Sequence, residues 1–221
     1  MLRIETILAR FGADIRATSA TEFALVLPIL ATLALGSIEM QRYQRLSRQL
    51  LVAAETIADT VAQRDTNEST LLNIDLQSMK IIFPQSVVEK GAVWWEAVNH
   101  QISHVQFKPT IAGCTKNCTY KASMIWHWPP YAAPPGFGGL KRQCGELTPS
   151  ADDGQPSGAN LPQATFAAGT LVIVDLRYAY TPLFGTTLFK PIILERQGFS
   201  FPRFASPYLK APQVTWCPGY S

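Results

Sequence analysis

Thr18-Ser-Ala-Thr-Glu22-Phe23-Ala-Leu-Val-Leu-Pro28-Ile-Leu-Ala-Thr-Leu-Ala-Leu-Gly36-Ser-Ile38-Glu39 decides how the rest of the chain is read. No charge stands between Phe23 and Ile38, and a carboxylate flanks each end, Glu22 and Glu39. These sixteen apolar or small residues fall just short of the roughly 20 that cross a bilayer core. Met40 adds one more, and a thinned bilayer or snorkelling flanks cover the difference. In lipid a span must satisfy its own backbone, so the segment is expected to be helical. Pro28 costs about 3 kcal/mol inside a soluble helix, but membrane helices tolerate it.

The helical pattern continues beyond the apolar stretch, from about residue 19 to about 65. Tyr43, Leu46, Leu50, Ala54, Ile57, Ala58 and Val61 recur at spacings of three and four, the stripe of an amphipathic helix. Arg42, Arg45, Arg48, Glu55 and Asp59 occupy the other faces. The expectation is one long helix over 19–63, bent if anywhere near Pro28, whose second half lies on a globular head.

The start Glu-Phe-Ala-Leu-Val-Leu-Pro, with its carboxylate directly before the apolar run, resembles the short leaders cut by a prepilin peptidase. More narrowly, the chain resembles the TadE/TadG-like pilus-assembly proteins of the tight-adherence (Flp) system. Glu39, Arg42 to Gln49 and Ala58-Asp59-Thr60-Val61-Ala62-Gln63 resemble the family's post-membrane helix. Tyr180-Thr181-Pro182-Leu183-Phe184 and Phe201-Pro202-Arg203 resemble its C-terminal pattern. About a third of the chain is covered, in the family's order. The resemblance implies a cut five residues before the glutamate, at Ala17–Thr18, so that Glu22 becomes the fifth mature residue. Ala17 stands where the family usually has Gly. It also implies that Glu22 pairs with the new N-terminal amine of a neighbouring subunit. The implied partners are other minor pseudopilins, the major pilin, the inner-membrane assembly platform and the prepilin peptidase.

At 221 residues the chain fits one domain plus an anchor. Hydrophobic residues make up 47% and charged ones 16%, a globular balance once the apolar segment is included. The net charge is +3 with no Lys/Arg run of five, so no nucleic-acid footprint is present. Cys114, Cys118, Cys144 and Cys217 all lie beyond the apolar segment, which fits an oxidising compartment such as a periplasm. Four cysteines allow three pairings. The expected one is Cys114–Cys118 as a local loop and Cys144–Cys217 as a long-range staple. Arg3, Arg10 and Arg16 precede the span, while Arg42, Arg45 and Arg48 follow it. A naive charge count therefore opposes a cytoplasmic N-terminus, but long translocated domains weigh little in that rule. The rival reading is a secretory signal with its exit at Ala34-Leu35-Gly36. Its polar lead-in of 22 residues is long, and the helical pattern does not stop at that exit.

In the head, residues 66–77 carry capping signals and a short helical pattern. Met79-Lys-Ile-Ile-Phe83 reads as a strand, as does Gln101 to Lys108, while Trp94 and Trp95 fit a short helix or a loop. From Tyr120, Ala122, Met124, Trp126 and Trp128 alternate with Lys121 and Ser123. From Val172, Val174, Leu176, Tyr178 and Tyr180 alternate with Asp175 and Arg177. Period two marks half-buried antiparallel strands, whose covered face is expected to meet the amphipathic half of the long helix. Residues 129–163 hold seven prolines and six glycines and read as one long loop. Phe199-Ser-Phe201 reads as a last, edge strand.

No catalytic, cofactor or metal constellation is legible. Glu96, His100 and His104 are four apart and would line one helix face, but on a strand they do not converge; solvated side chains are expected. Cys114-Thr-Lys-Asn-Cys118 lacks the two-residue spacing of zinc and redox motifs. Asp152-Asp153-Gly154 lacks the alternating acids of a calcium loop and reads as a solvated turn. Asn67-Glu-Ser69 and Asn117-Cys-Thr119 match a glycosylation triplet that short chance matches also produce. Gly136-Phe-Gly138-Gly139 lacks the strand and helix of a phosphate loop. No serine–histidine order suggests a triad.

The sequence therefore predicts an α+β protein, its long helix packed on an antiparallel, pilin-like sheet. Residues 1–17 form the leader, 18–40 the membrane segment, 41–65 the helix extension and 66–221 the periplasmic head. The function expected is a non-enzymatic minor pseudopilin, single-pass in the inner membrane. The alternative is a membrane-anchored or secreted binding module whose long Pro/Gly loop carries recognition.

Overall fold

The computed structural model describes residues 15–63, 98–128, 142–154, 156–183, 192–202 and 215–220. They fall in two compact units. One comprises Met1–Gln44 with Pro182–Phe189, the other Arg45–Thr181 with Lys190–Ser221. The leader up to residue 14, the expected helix in 66–77, the strand Met79–Phe83, and Trp94, Trp95 and Glu96 lie outside the described residues. So do Asn67-Glu-Ser69, Gly136-Phe-Gly138-Gly139, Phe184 and Arg203.

Helix α1 runs unbroken over Ile15–Ala62, 48 residues with Pro28 inside. The stretch Glu39–Tyr43, where a break would have separated two helices, is helical throughout. In the second unit its buried residues are Ser47, Leu50, Ala53, Ala54, Ile57, Ala58, Val61 and Ala62. The stripe is richer in small residues than expected, and Tyr43 and Leu46 are only half-buried. Alanines let another backbone come close, and here one does.

That backbone belongs to the sheet. Its strands are β1 (Val98–Pro109), β2 (Tyr120–Trp128), β3 (Glu146–Ser150), β4 (Asn160–Pro162), β5 (Gly169–Tyr180), β6 (Ile192–Ser200) and β7 (Thr215–Trp216). The order is β4-β3-β2-β1-β5-β6, with β7 beside β2. All pairs are antiparallel except β3–β4, which is parallel. The sheet is thus mixed rather than purely antiparallel. The expected loop over 129–163 in fact contains β3 and β4, strands of five and three residues, too short to show a period. Phe199 and Ser200 end β6 rather than forming a separate strand, and β7 follows.

The register sorts side chains onto two faces. Val98, His100, Ile102 and His104 share one face with Tyr178, Leu176, Val174 and Val172 of β5. Opposite them across β5 lie Leu194, Arg196, Gly198 and Ser200 of β6. This is the α1 face. A Cβ on Gly198 would overlap the carbonyl group of Ala54. Arg196 donates to the Ser47 hydroxyl, and Ser200 Oγ donates to Asp59 Oδ1 over 3.4 Å. The α1 face is thus the covered face that alternation in β5 implied.

The other face holds a second core: Val105, Phe107, Ala122, Met124, Leu147, Leu161, Leu171, Ile173 and Cys217. Central strand β1 is therefore buried on both sides, a pattern associated with fully covered sheets. Strand β2 crosses between the two cores. His104 pairs with Trp126, but Val105 pairs with Met124, so Ile125 is an extra residue, a β-bulge. Ala122 and Met124 face one core and Trp126 and Trp128 the other. The apparent single alternation from Ala122 to Trp128 is broken in the middle.

Candidate functional site

The apolar half of α1 is the largest exposed hydrophobic stretch among the described residues. From Phe23 to Ile38 every residue is exposed. Phe23, Leu25, Val26, Leu27, Ile29, Leu30, Leu33, Leu35, Ile38 and Met40 all face outward. None of this apolar stretch is buried within the protein. Water does not favour so large an apolar surface, and exposed patches of this kind mark a membrane or a partner.

The polar groups inside the segment are satisfied locally. Thr32 Oγ1 donates to the Ile29 carbonyl and Ser37 Oγ to the Ala34 carbonyl, each over 2.8 Å. Neither hydroxyl then needs water, as a segment in hydrocarbon requires. Pro28 lacks the N–H that would bond the carbonyl of residue 24, yet the helix continues through it. Gly36 has nothing within 4 Å of where a Cβ would be, so no fold contact demands it. Among the described residues one helix, near the N-terminus, is long and apolar enough to cross a membrane. Membrane anchors and signal sequences share that feature.

Ala17 and Thr18, the expected cleavage pair, lie within α1, three and four residues after Asp14. Glu22 is helical and exposed. Glu39, at the other boundary, is half-buried. Its carboxylate accepts the Leu183 backbone N–H, at 3.2 Å to Oε1 and 3.3 Å to Oε2. Both residues belong to the first unit.

The four cysteines form two disulfides, Cys114–Cys118 and Cys144–Cys217. The first closes the β1–β2 turn, where Asn117 takes the left-handed conformation at φ 51°, one that asparagine tolerates. The second ties the segment before β3 to the residue that follows β7. It does so where the Cys217 N–H bonds the bulged Ile125 carbonyl over 2.8 Å. Disulfides of this kind persist outside the reducing cytosol.

His100 and His104 are not solvated. Both sit on β1, on the α1 face, and His104 is 1% exposed. His104 stacks obliquely on Trp126 and His100 on Trp128. Burial holds the His104 imidazole down at about 4. It also lowers His100, against a smaller upward pull from its Nδ1 contact with the Val98 carbonyl at 3.3 Å. Among the described residues no group of three or more His, Cys, Asp or Glu could hold a metal ion. Asp152 Oδ1 accepts the Ala164 N–H over 2.8 Å, closing a surface turn.

One cluster had no signal in the sequence. Asp175, expected to face solvent, is buried on the side away from α1. Arg142 reaches it with Nε and Nη2, and Gln197 donates to its Oδ1 over 2.9 Å. Gln101 grips the Arg142 backbone at both N–H and carbonyl, 2.7 and 3.1 Å. Arg142 Nη1 also donates to the Asn160 carbonyl over 3.0 Å. The guanidinium of Arg142, the carboxylate of Asp175 and the side-chain amide of Gln101 are all bonded within this cluster, which fixes the layer around β3 and β4. Arg142 lies 33 residues from Asp175, with no spacing rule to link them.

No family model, curated protein or solved structure matches the chain.

Proposed function

We propose that the chain is a TadE/TadG-like minor pseudopilin. In this reading it is a non-enzymatic, single-pass protein of the inner membrane with its head in the periplasm. Its N-terminal helix takes part in assembling a tight-adherence type pilus. The observation that supports this most is the continuity of α1. An exposed, charge-free half, with Glu22 at its start, runs without a break into a half laid along a sheet. A simple signal has no need to stay joined to the head, whereas an assembly helix does. The two disulfides support an extracytoplasmic head.

The proposed chemistry is electrostatic. A carboxylate at the hydrocarbon boundary is costly without a partner. Cleavage at Ala17–Thr18 creates an ammonium four residues away in sequence, and the ammonium of an adjoining subunit supplies Glu22 with its counter-charge. The partners on this reading are other minor pseudopilins, the major pilin and the inner-membrane platform, with the prepilin peptidase acting first.

N-terminal sequencing of the protein from native membranes, with and without prepilin peptidase, tests the proposal. A peptidase-dependent start at Thr18 supports it. A start at Ser37 supports the secreted binding module instead, and an uncut chain supports a plain anchor. Glu22→Ala is expected to insert normally but to impair assembly; normal piliation by this variant removes the pairing role.

A further inference from the structure

We infer that Leu183 docks into the bilayer interface beside the exit of α1, held at that depth by Glu39. The inference rests on the reading of 23–38 as a membrane span, not on the pilus. Glu39 is the first charge after the apolar stretch, so on that reading it marks the boundary between hydrocarbon and water. The Leu183 N–H is bonded to its carboxylate. Leu183 is therefore fixed at the same level, within the unit that contains the apolar half of α1.

The chemistry at that level suits lipid. Pro182 is buried and has no N–H to satisfy, whereas Leu183 is 57% exposed. An N–H entering the interface away from bulk water is expensive unless it is bonded. Glu39 removes that cost, and the N–H in turn lends a partial positive charge to a carboxylate that lipid disfavours. What remains outward is an isobutyl group. Arg42 follows Glu39 by three residues, about 4.5 Å along a helix, at the height of headgroup phosphates. The composition that follows in sequence, Phe184-Gly-Thr-Thr-Leu188-Phe189-Lys190, is aromatic and apolar and ends on a cation, as interfacial segments do. An apolar side chain, a satisfied backbone and the Arg42 cation one turn beyond Glu39 together fit an anionic bilayer surface.

Single cysteines carrying an environment-sensitive fluorophore test this in the full chain, with both disulfides intact. The chain is reconstituted in phosphatidylethanolamine–phosphatidylglycerol vesicles. The labelled positions are Leu30, Ile38, Leu183 and Ile111, the last exposed on the β1–β2 turn. Lipids bearing a nitroxide near the headgroup are expected to quench Leu183 as much as Ile38 and to leave Ile111 bright. A chain-end nitroxide should quench Leu30 and spare Leu183. If Leu30 is not quenched, the span itself is wrong and the inference falls with it. If Leu30 is quenched while Leu183 is as bright as Ile111, the span stands and the inference is overturned. A Leu183 label shielded from both lipid and aqueous quenchers also overturns it, in favour of a neighbouring protein subunit.

Discussion

Arg142 and Asp175 form a closed ion pair: Nε lies 2.6 Å from Oδ2 and Nη2 3.1 Å from Oδ1, with 0% and 2% of the side chains exposed. The geometry is the two-pronged one that best suits guanidinium and carboxylate. The Lys121–Glu146 pair, 3.3 Å apart on the surface, contributes little by comparison. Asp175→Ala would strand a buried guanidinium and is expected to cost about 3–5 kcal/mol. Replacing Arg142 and Asp175 together with apolar residues of similar size should cost far less, since neither charge is then left alone. Urea unfolding of the two variants and the parent checks the contrast. Equal losses would mean that the pair matters through packing and not charge.

Gly198→Ala should loosen α1 from the sheet. The added methyl would meet the Ala54 backbone carbonyl and the Glu55 nitrogen, so one element has to move. Overpacking of this sort costs about 1–3 kcal/mol. Because the clash is with backbone, Ala54→Gly should not rescue it. Thermal unfolding of the single and double variants measures both statements, and a rescue by Ala54→Gly would contradict the close approach.

His104 makes stability depend on pH in a definite direction. Burial lowers its folded pKa from 6.5 to about 4, so between those values the unfolded chain binds more protons. The folded state is at full advantage above pH 6.5 and loses it as pH falls toward 4. Two and a half pH units correspond to about 3 kcal/mol at the acid limit. His100 acts in the same direction. Denaturation curves at pH 7.5 and 4.5 should differ less in His104→Phe than in the parent. An unchanged difference would place the acid sensitivity elsewhere.

The two disulfides should differ in weight. Cys144–Cys217 closes 73 residues and Cys114–Cys118 only four. Loop-closure entropy gives about 4 kcal/mol for the first and about 2 for the second. Cys144→Ala with Cys217→Ala should therefore lower the midpoint of unfolding more than Cys114→Ala with Cys118→Ala. The reverse order would show that the β1–β2 turn depends on its bridge.

Long-period features of this protein were legible in the sequence. Helix α1 announces itself by composition and then by a stripe from Leu50 to Val61, and β5 by the alternation from Val172 to Tyr180. These signals are summed over many residues, so no single neighbour can overturn them. Strands β3, β4 and β7 have five residues or fewer, which is too short for a period, and Pro149 in β3 and Pro162 in β4 argue for loop. The cluster around Arg142 was invisible for a different reason. Asp175 looks like the polar side of a half-covered strand until a second layer, distant in sequence, closes over it. His100 and His104 misled in the same way, because β1 is covered on both sides and its alternation carries no exposure signal. Of the candidate site, the apolar span and its flanking carboxylates could be read directly. That Glu39 bonds Leu183, 144 residues away, could not.

The bulge at Ile125 has a consequence for how this protein tolerates change. Ala122 and Met124 pair with β1 residues of one interior and Trp126 and Trp128 with those of the other, and the bulge takes up the extra residue between them. Substitutions at Ala122 or Met124 and those at Trp126 or Trp128 should combine additively, as separated sites do, although they are neighbours along one strand. Removing Ile125 would leave these facings in place, because Met124 would then adjoin Trp126 directly and still pair with Val105. It would, however, take away the carbonyl that seats Cys217. The extra residue therefore matters to the anchoring of the tail by the Cys144–Cys217 bridge, while the facing of each half of β2 is set by its own pairing with β1.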